Sequence, residues 1–153
     1  MAHLDWAVKA SLIMYVAGAP GGRLAVEGVG GSGADFYFPL DTERVPAPTA
    51  DDTWFAFTGI VRFIGHFGSY VGQIAQAEVD QRGDDWELSI VDEGAEERTA
   101  AFRLAGAPVR EGTRLSWDVV ELTADGAKLF GGSYPEGTRF EPLAIELGET
   151  PAA

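Results

Sequence analysis

From Thr53 to Phe67 the chain places Phe55, Phe57, Val61, Phe63 and Phe67 at positions of one parity. Successive side chains of a strand point to opposite faces, so this period predicts a long β-strand with a buried aromatic face. The other parity, Trp54, Thr58, Ile60, Arg62, Ile64 and His66, forms a second, mixed face suited to line a pocket. Leu24 and Val26 alternate in the same way against Arg23, Ala25 and Glu27. Further strands are predicted over 70–79, 86–91, 99–104, 115–122 and 142–147, separated by turns such as Arg82-Gly83-Asp84 and Asp125-Gly126. With 20 glycines and 8 prolines to punctuate them, these segments predict a mainly β, single-domain antiparallel sandwich or barrel-like fold. Trp6, Trp54, Trp86 and Trp117 read as core or sheet-face packing.

The period changes only at the start. Leu4, Val8, Leu12 and Tyr15 recur at i, i+4, i+8 and i+11, which predicts a short N-terminal helix over 4–17 with Asp5 in its first turn. Ser11 then lies one turn before Tyr15, and Gly18-Ala19-Pro20-Gly21-Gly22 stops the helix. The 153 residues suit one domain, expected to span 1–148, with 149–153 as a frayed tail.

Charge and composition exclude several functions. With 11 basic and 24 acidic residues the formal net charge is −13, which repels phosphate backbones and anionic lipid. The absence of cysteine removes disulfides, thiolate metal sites and thiol nucleophiles. No apolar run reaches the ~18 residues that a membrane span needs, so membrane insertion is not expected. The compartment is left open, with a cytoplasmic location expected for a full-length chain and the cell envelope for one from which a signal segment was trimmed. The Gly30-Gly31-Ser32-Gly33 stretch lacks the lysine and the strand-loop-helix context of a phosphate loop and reads as a flexible turn.

Two side chains stand out chemically. Tyr15 and His66, each set among apolar residues, could form an iron-binding pair, although Tyr15 also reads as an amphipathic core tyrosine and His66 as a structural histidine. His3, near the terminus, is expected to be solvated. Arg62 shares parity with His66 and suits either a ligand carboxylate or a cross-strand partner. Met14 cannot share an iron with Tyr15, because consecutive helix residues diverge by about 100°.

Three collinear stretches carry a family resemblance. They are Leu4-Asp5-Trp6-x-Val8-Lys9-x-Ser11-x-x-x-Tyr15-Val16-x-Gly18, Phe57-Thr58-Gly59-x-Val61-Arg62-Phe63-x-Gly65-His66-x-Gly68, and Tyr134-Pro135-x-Gly137-Thr138-x-x-x-Pro142-Leu143. Together they resemble the haem-transport-associated (HtaA) domain over nearly the whole chain. The resemblance implies a mainly β domain that binds ferric haem, with Tyr15 as axial ligand to the iron and His66 hydrogen-bonded to it. It departs from the family pattern at Phe67, a bulky residue where a small one is usual, and at Leu12-Ile13-Met14, where polar residues are common.

A free tyrosine has a pKa near ~10, so the phenolate needs ferric iron and a donor such as an imidazole N–H to persist at neutral pH. Flat apolar walls are also needed, for which Met14, Phe36, Phe63, Phe67 and Tyr70 are candidates by type, and Ser11 is placed to donate to a propionate. The expected function is a non-catalytic haem carrier, buffer or relay, with haem or another apolar small molecule, and other haem-relay proteins, as partners. The alternative is an enzyme on the same scaffold, an isomerase or cyclase using Tyr15 and His66 as an acid–base dyad. A lipid or pigment binder without metal is a third reading.

Overall fold

The structure is a computed structural model, which describes residues 2–31 and 35–148. The N-terminal half runs β1 (His3–Trp6), α1 (Ala10–Gly18), β2 (Arg23–Glu27), β3 (Gly30–Gly31), β4 (Phe36–Pro39), β5 (Trp54–Ala56) and β6 (Ile60–Ile64). A single 3-10 turn, His66–Gly68, leads into β7 (Tyr70–Ala75), β8 (Glu78–Arg82), β9 (Asp85–Val91) and β10 (Arg98–Leu104). The chain ends through β11 (Val109–Glu111), β12 (Arg114–Trp117), β13 (Val120–Leu122), α2 (Ala124–Leu129), β14 (Arg139–Phe140) and β15 (Leu143–Glu146).

Every pairing is antiparallel. One sheet has the order β11-β12-β15-β1-β4-β3, a second β14-β13-β10-β9-β8-β5, and a third β2-β6-β7. The mainly β, antiparallel architecture with a short helix near the N-terminus is therefore as expected. The predicted tail at 149–153, and Ser32 and Gly33 of the predicted glycine turn, lie outside the described residues.

The N-terminal helix is shorter than its periodicity suggested. Residues 3–6 are a strand, pairing Leu4 with Ile145 on one side and Phe38 on the other, and the helix begins only at Ala10. A spacing of four satisfies both periods, and the sheet wins because β1 fills a gap between two strands and buries Leu4 and Trp6 completely. Asp5, expected in a first helical turn, instead pairs with Arg114 at 2.8 Å. Val8, fully buried at φ 62°, makes the corner between strand and helix. That is a left-handed conformation a β-branched residue rarely takes, held by burial and by Glu141 N–H donating to the Val8 carbonyl at 2.8 Å.

The predicted strand over 53–67 is broken. Gly59, at φ 97°, separates β5 from β6, and a Cβ there would stand 2.5 Å from Val29 Cγ2. Phe55, Phe57, Val61 and Phe63 are fully buried, as their parity requires, but Phe67 is 83% exposed. The predicted strands over 70–79 and 115–122 are likewise each divided in two, and Asp125-Gly126 lies inside α2 rather than in a turn. Thr123 caps that helix by accepting from Gly126 N–H at 2.9 Å, and Gly126 is required because a Cβ would meet the Ala101 carbonyl at 2.2 Å.

The core is aromatic. Trp6 meets Phe102 edge-on at 5.0 Å, Phe102 meets Phe140 at 4.8 Å, and Phe130 completes the cluster. Burying each such ring contributes about 1.5–3 kcal/mol relative to exposure. Trp86 and Trp117 pack at 5.3 Å in the same interior, whereas Trp54 lies on a sheet face, donating to Glu78 at 3.1 Å. Among the described residues no helix is long and apolar enough to cross a membrane.

Candidate functional site

The site is built where the end of α1 meets the turn that joins β6 to β7. Leu12 and Val16, four apart, anchor one side of α1 in the core, which leaves Ser11 and Tyr15, also four apart, on its exposed side. The start of the helix is tied down by Ala10 N–H donating to Glu141 Oε2 at 3.0 Å and by Lys9 Nζ donating to the Arg139 carbonyl at 3.0 Å. At its end, Ala19 N–H donates to the Tyr15 carbonyl at 2.9 Å, and the chain turns at Gly22, where a Cβ would stand 2.2 Å from the Val16 carbonyl.

The β6–β7 turn is locked onto this helix end. Phe67 N–H donates to the Pro20 carbonyl at 2.8 Å, while Gly65 N–H donates to Ser69 and Ser69 N–H to His66, closing the turn on itself. A Cβ on Gly21 would come within 3.3 Å of the Phe67 and Gly68 backbone. Phe67 has φ 54° and ψ 32°, a left-handed geometry that is unusual for an aromatic residue. This reversal throws the Phe67 ring outward, against His66 with centroids 4.5 Å apart.

Tyr15 and His66, 51 positions apart in the chain, are brought together. The hydrogen bond between them runs from the His66 backbone N–H to Tyr15 Oη at 3.4 Å, a long bond, and does not use the imidazole. The phenol lies over Gly65, where a Cβ would sit 3.0 Å from both Oη and Cε2, so the missing side chain makes room for it. Tyr15 is 46% exposed, and His66 is also exposed. Neither is a buried structural residue.

The other predicted site residues divide. Ser11 shares the open helix face with Tyr15, and Phe67 is in the turn itself. Tyr70 starts β7 and is half-exposed, but its hydroxyl donates to Asp92 Oδ1 at 2.5 Å; burial first, and that hydrogen bond second, push its pKa well above the ordinary phenol value. Phe63 is fully buried and Phe36 nearly so, leaving them in the core with no surface for a ligand, while Met14 is 74% exposed. Arg62 meets its cross-strand neighbour Gln73 at 3.2 Å and Glu93 at 3.5 Å, the second of its two expected roles. His3 is a strand residue with its ring 4.8 Å from Tyr37, not a solvated terminus.

One neighbour escaped the sequence reading. Tyr134 packs on Phe140 at 5.8 Å under the Lys9 ammonium, and its pKa is raised by burial and then by the field of Tyr15. Its place in the Tyr134-Pro135-x-Gly137 stretch was the available signal. Among the described residues no cluster of three or more His, Cys, Asp or Glu could hold a bare metal ion.

The fold and the sequence both have known counterparts. The pattern of the HtaA family (Htaa) matches residues 1–146. The C-terminal domain of HtaA from Corynebacterium glutamicum is similar in structure with a TM-score of 0.71 and 27% identity, covering 94% of this chain and 93% of that one. The N-terminal domain of the same protein gives a TM-score of 0.68 at 21% identity, covering 97% of each chain. The haem-binding protein HtaB from that organism gives 0.68 at 17%, covering 95% of this chain and 93% of its own, and shows the shared fold. None of the curated proteins compared with the chain matches it. On the match over residues 1–146, the chain belongs to the HtaA family.

Proposed function

We propose that this chain binds ferric haem as a carrier, buffer or relay, with Tyr15 as the axial oxygen donor and His66 as its support. One observation carries the reading: a phenol and a histidine from distant segments meet over Gly65 at the surface, where a ligand can reach them. Membership of the HtaA family and the shared fold with haem-binding HtaB support it.

The donor set fits the group. A phenolate is a hard anionic oxygen that favours Fe(III), and each segment carries an exposed apolar side chain, Met14 on α1 and Phe67 in the turn. No bare-ion cluster is available among the described residues, so a single phenol needs the porphyrin to complete the coordination. When bound, ferric iron would supply the positive charge that a phenolate ligand needs, and Tyr15 would hold it.

The chain supplies the rest. Tyr15 lies in the last turn of α1 and accepts from the His66 backbone N–H, a donor that would also meet a metal-bound phenolate. Hydrogen bonds to a charged acceptor are worth about 1.5–3 kcal/mol at ordinary length, and this one, at 3.4 Å and exposed, contributes less. Ser11, one turn away on the same exposed face, would donate its hydroxyl to a propionate, and the exposed His66 imidazole would be a second donor. A site of this kind loosens when the iron is reduced, which suits hand-over.

Absorbance titration with ferric haem tests the reading. Wild type is expected to give a Soret band with phenolate-to-iron charge-transfer features and Tyr15→Phe to lose those features, while His66→Ala, which keeps the backbone N–H to Tyr15 and removes only the imidazole, should keep the charge-transfer features and retain haem less well through loss of the imidazole donor. Unchanged bands in Tyr15→Phe would remove Tyr15 as ligand, and a wild type that takes up no haem would remove the function.

A further inference from the structure

The edge strands of this molecule are unequally protected. β3 and β14 have two residues each, β5 and β11 three, and β7, though longer, is mostly buried. Short or covered edges are the usual defence against pairing with another chain. β2 has neither defence: it runs for five residues at the edge of the β2-β6-β7 sheet, with Arg23, Val26 and Glu27 exposed and Val26 44% accessible. It contains no proline. Beyond the ladder to β6, no backbone hydrogen bond of residues 23–27 to another segment is found among the described residues.

The sequence of this edge, Arg23-Leu24-Ala25-Val26-Glu27, is complementary to itself. In an antiparallel pairing of two copies centred on Ala25, Arg23 stands opposite Glu27, Leu24 opposite Val26, and each match occurs twice. Directly opposed residues share a sheet face, so both charge pairs fall on the outer face and both apolar pairs on the core side. Neither Arg23 nor Glu27 has an ion-pair partner among the described residues. One step further out, Gly22 meets Gly28, so no side chain obstructs the ends of the paired segment. The register works whichever residues of β2 point their N–H groups outward, because 23 pairs with 27 and 24 with 26.

We propose that β2 is a homodimerisation edge, through which two copies of this chain join antiparallel about a two-fold axis at Ala25 to make one six-stranded sheet, β7-β6-β2-β2-β6-β7. This requires neither haem nor Tyr15. The edge is locally neutral in a molecule of net charge −13, so the two copies repel elsewhere and associate better once salt screens that repulsion over about 8 Å. The contact is small, and the dimer is correspondingly weak.

Sedimentation of the full chain without haem, at about 0.15 M salt and from about 10 μM to about 1 mM protein, tests the proposal. Wild type should move from monomer to dimer across that range. Arg23→Glu and Glu27→Arg each set like charges opposite one another twice and should weaken association about tenfold or more. The Arg23→Glu/Glu27→Arg double variant should recover it, and an equimolar mixture of the two single variants should form a heterodimer that neither forms alone. Both positions are exposed, so circular dichroism should show all variants folded. A wild type that stays monomeric throughout overturns the proposal. A dimer indifferent to either reversal overturns it as well, since another face would then be responsible.

Discussion

Phe63 and Phe67 have the same parity, the same side chain and nearly the same place in the sequence, yet one is fully buried and the other 83% exposed. Between them the chain passes Gly65 and enters a turn held by Pro20, and the left-handed backbone at Phe67 reverses the alternation. Phe63 belongs to a region where sheet periodicity decides every side chain's direction. Phe67 belongs to one where hydrogen bonds within a turn and to the Pro20 loop decide it. The core and the candidate site are thus built by different rules, and substitutions should separate them.

The largest effect is expected in the core. Trp6→Ala removes a fully buried ring from contact with Phe102 and Phe140 and also the indole donor to the Glu141 carbonyl at 2.8 Å. A cost of about 3–5 kcal/mol is expected, read as a lower urea midpoint. Because Glu141 also accepts from Ala10 N–H, the same change should loosen α1, but any loss of haem should follow the loss of fold.

Next in size is a charge network away from the site. Glu78 accepts from Arg44 at 2.8 Å and Trp54 at 3.1 Å and pairs with Arg98 at 2.8 Å. Burial raises its pKa, but these partners outweigh burial and hold the carboxyl below its usual value. A carboxyl whose folded pKa is depressed contributes stability above its unfolded pKa and loses it as pH falls through the folded one. Wild type should therefore weaken on acidification below about pH 4. Glu78→Gln should cost about 2 kcal/mol at neutral pH and flatten that acid limb, measured by thermal melts across pH, with haem binding unchanged.

How much of this was readable in advance follows the same division. Phe55, Phe57, Val61 and Phe63 announced their burial by alternation, and the glycine- and proline-rich composition pointed to short antiparallel strands. Leu4 misled because a spacing of four fits either period, and only the β15 and β4 partners resolve it. Tyr15 and His66 were recognisable through family resemblance, but their meeting depends on the Pro20 carbonyl, the bare Cα of Gly65 and the left-handed Phe67, none of which has a periodic signature. Family resemblance implies a link through the imidazole, whereas here the His66 backbone amide contacts the phenol.

Gly65→Ala should sharpen the contrast from the site's side. Its added methyl would stand 3.0 Å from Tyr15 Oη and 2.9 Å from Val71 Cγ2, so alanine meets a packing conflict on both sides. The exposed phenol can swing away but Val71 must shift as well, so the stability loss should be about 1–2 kcal/mol. Haem affinity should fall more than stability does, the reverse of the order expected for Trp6→Ala. Equal retention of haem by Gly65→Ala and wild type would show that the phenol's seat over residue 65 is irrelevant to binding.

The smallest effect has the most informative sign. Phe67 holds a left-handed backbone that costs an ordinary residue about 1–2 kcal/mol, and with the ring 83% exposed little burial offsets it. Asparagine tolerates that conformation, but Phe67→Asn also gives up the edge contact with His66 at 4.5 Å, worth about 0.5 kcal/mol. The net should be a gain of about 0.5 kcal/mol, visible as a small rise in urea midpoint. Strain retained at an exposed aromatic is best explained by what the ring does for a ligand, and under the haem reading that is to cover a porphyrin face. Phe67→Asn should then stabilise the fold and weaken haem retention together. If both quantities rise, the ring obstructs the site, and the departure from the family's small residue at this position is a device against haem rather than for it.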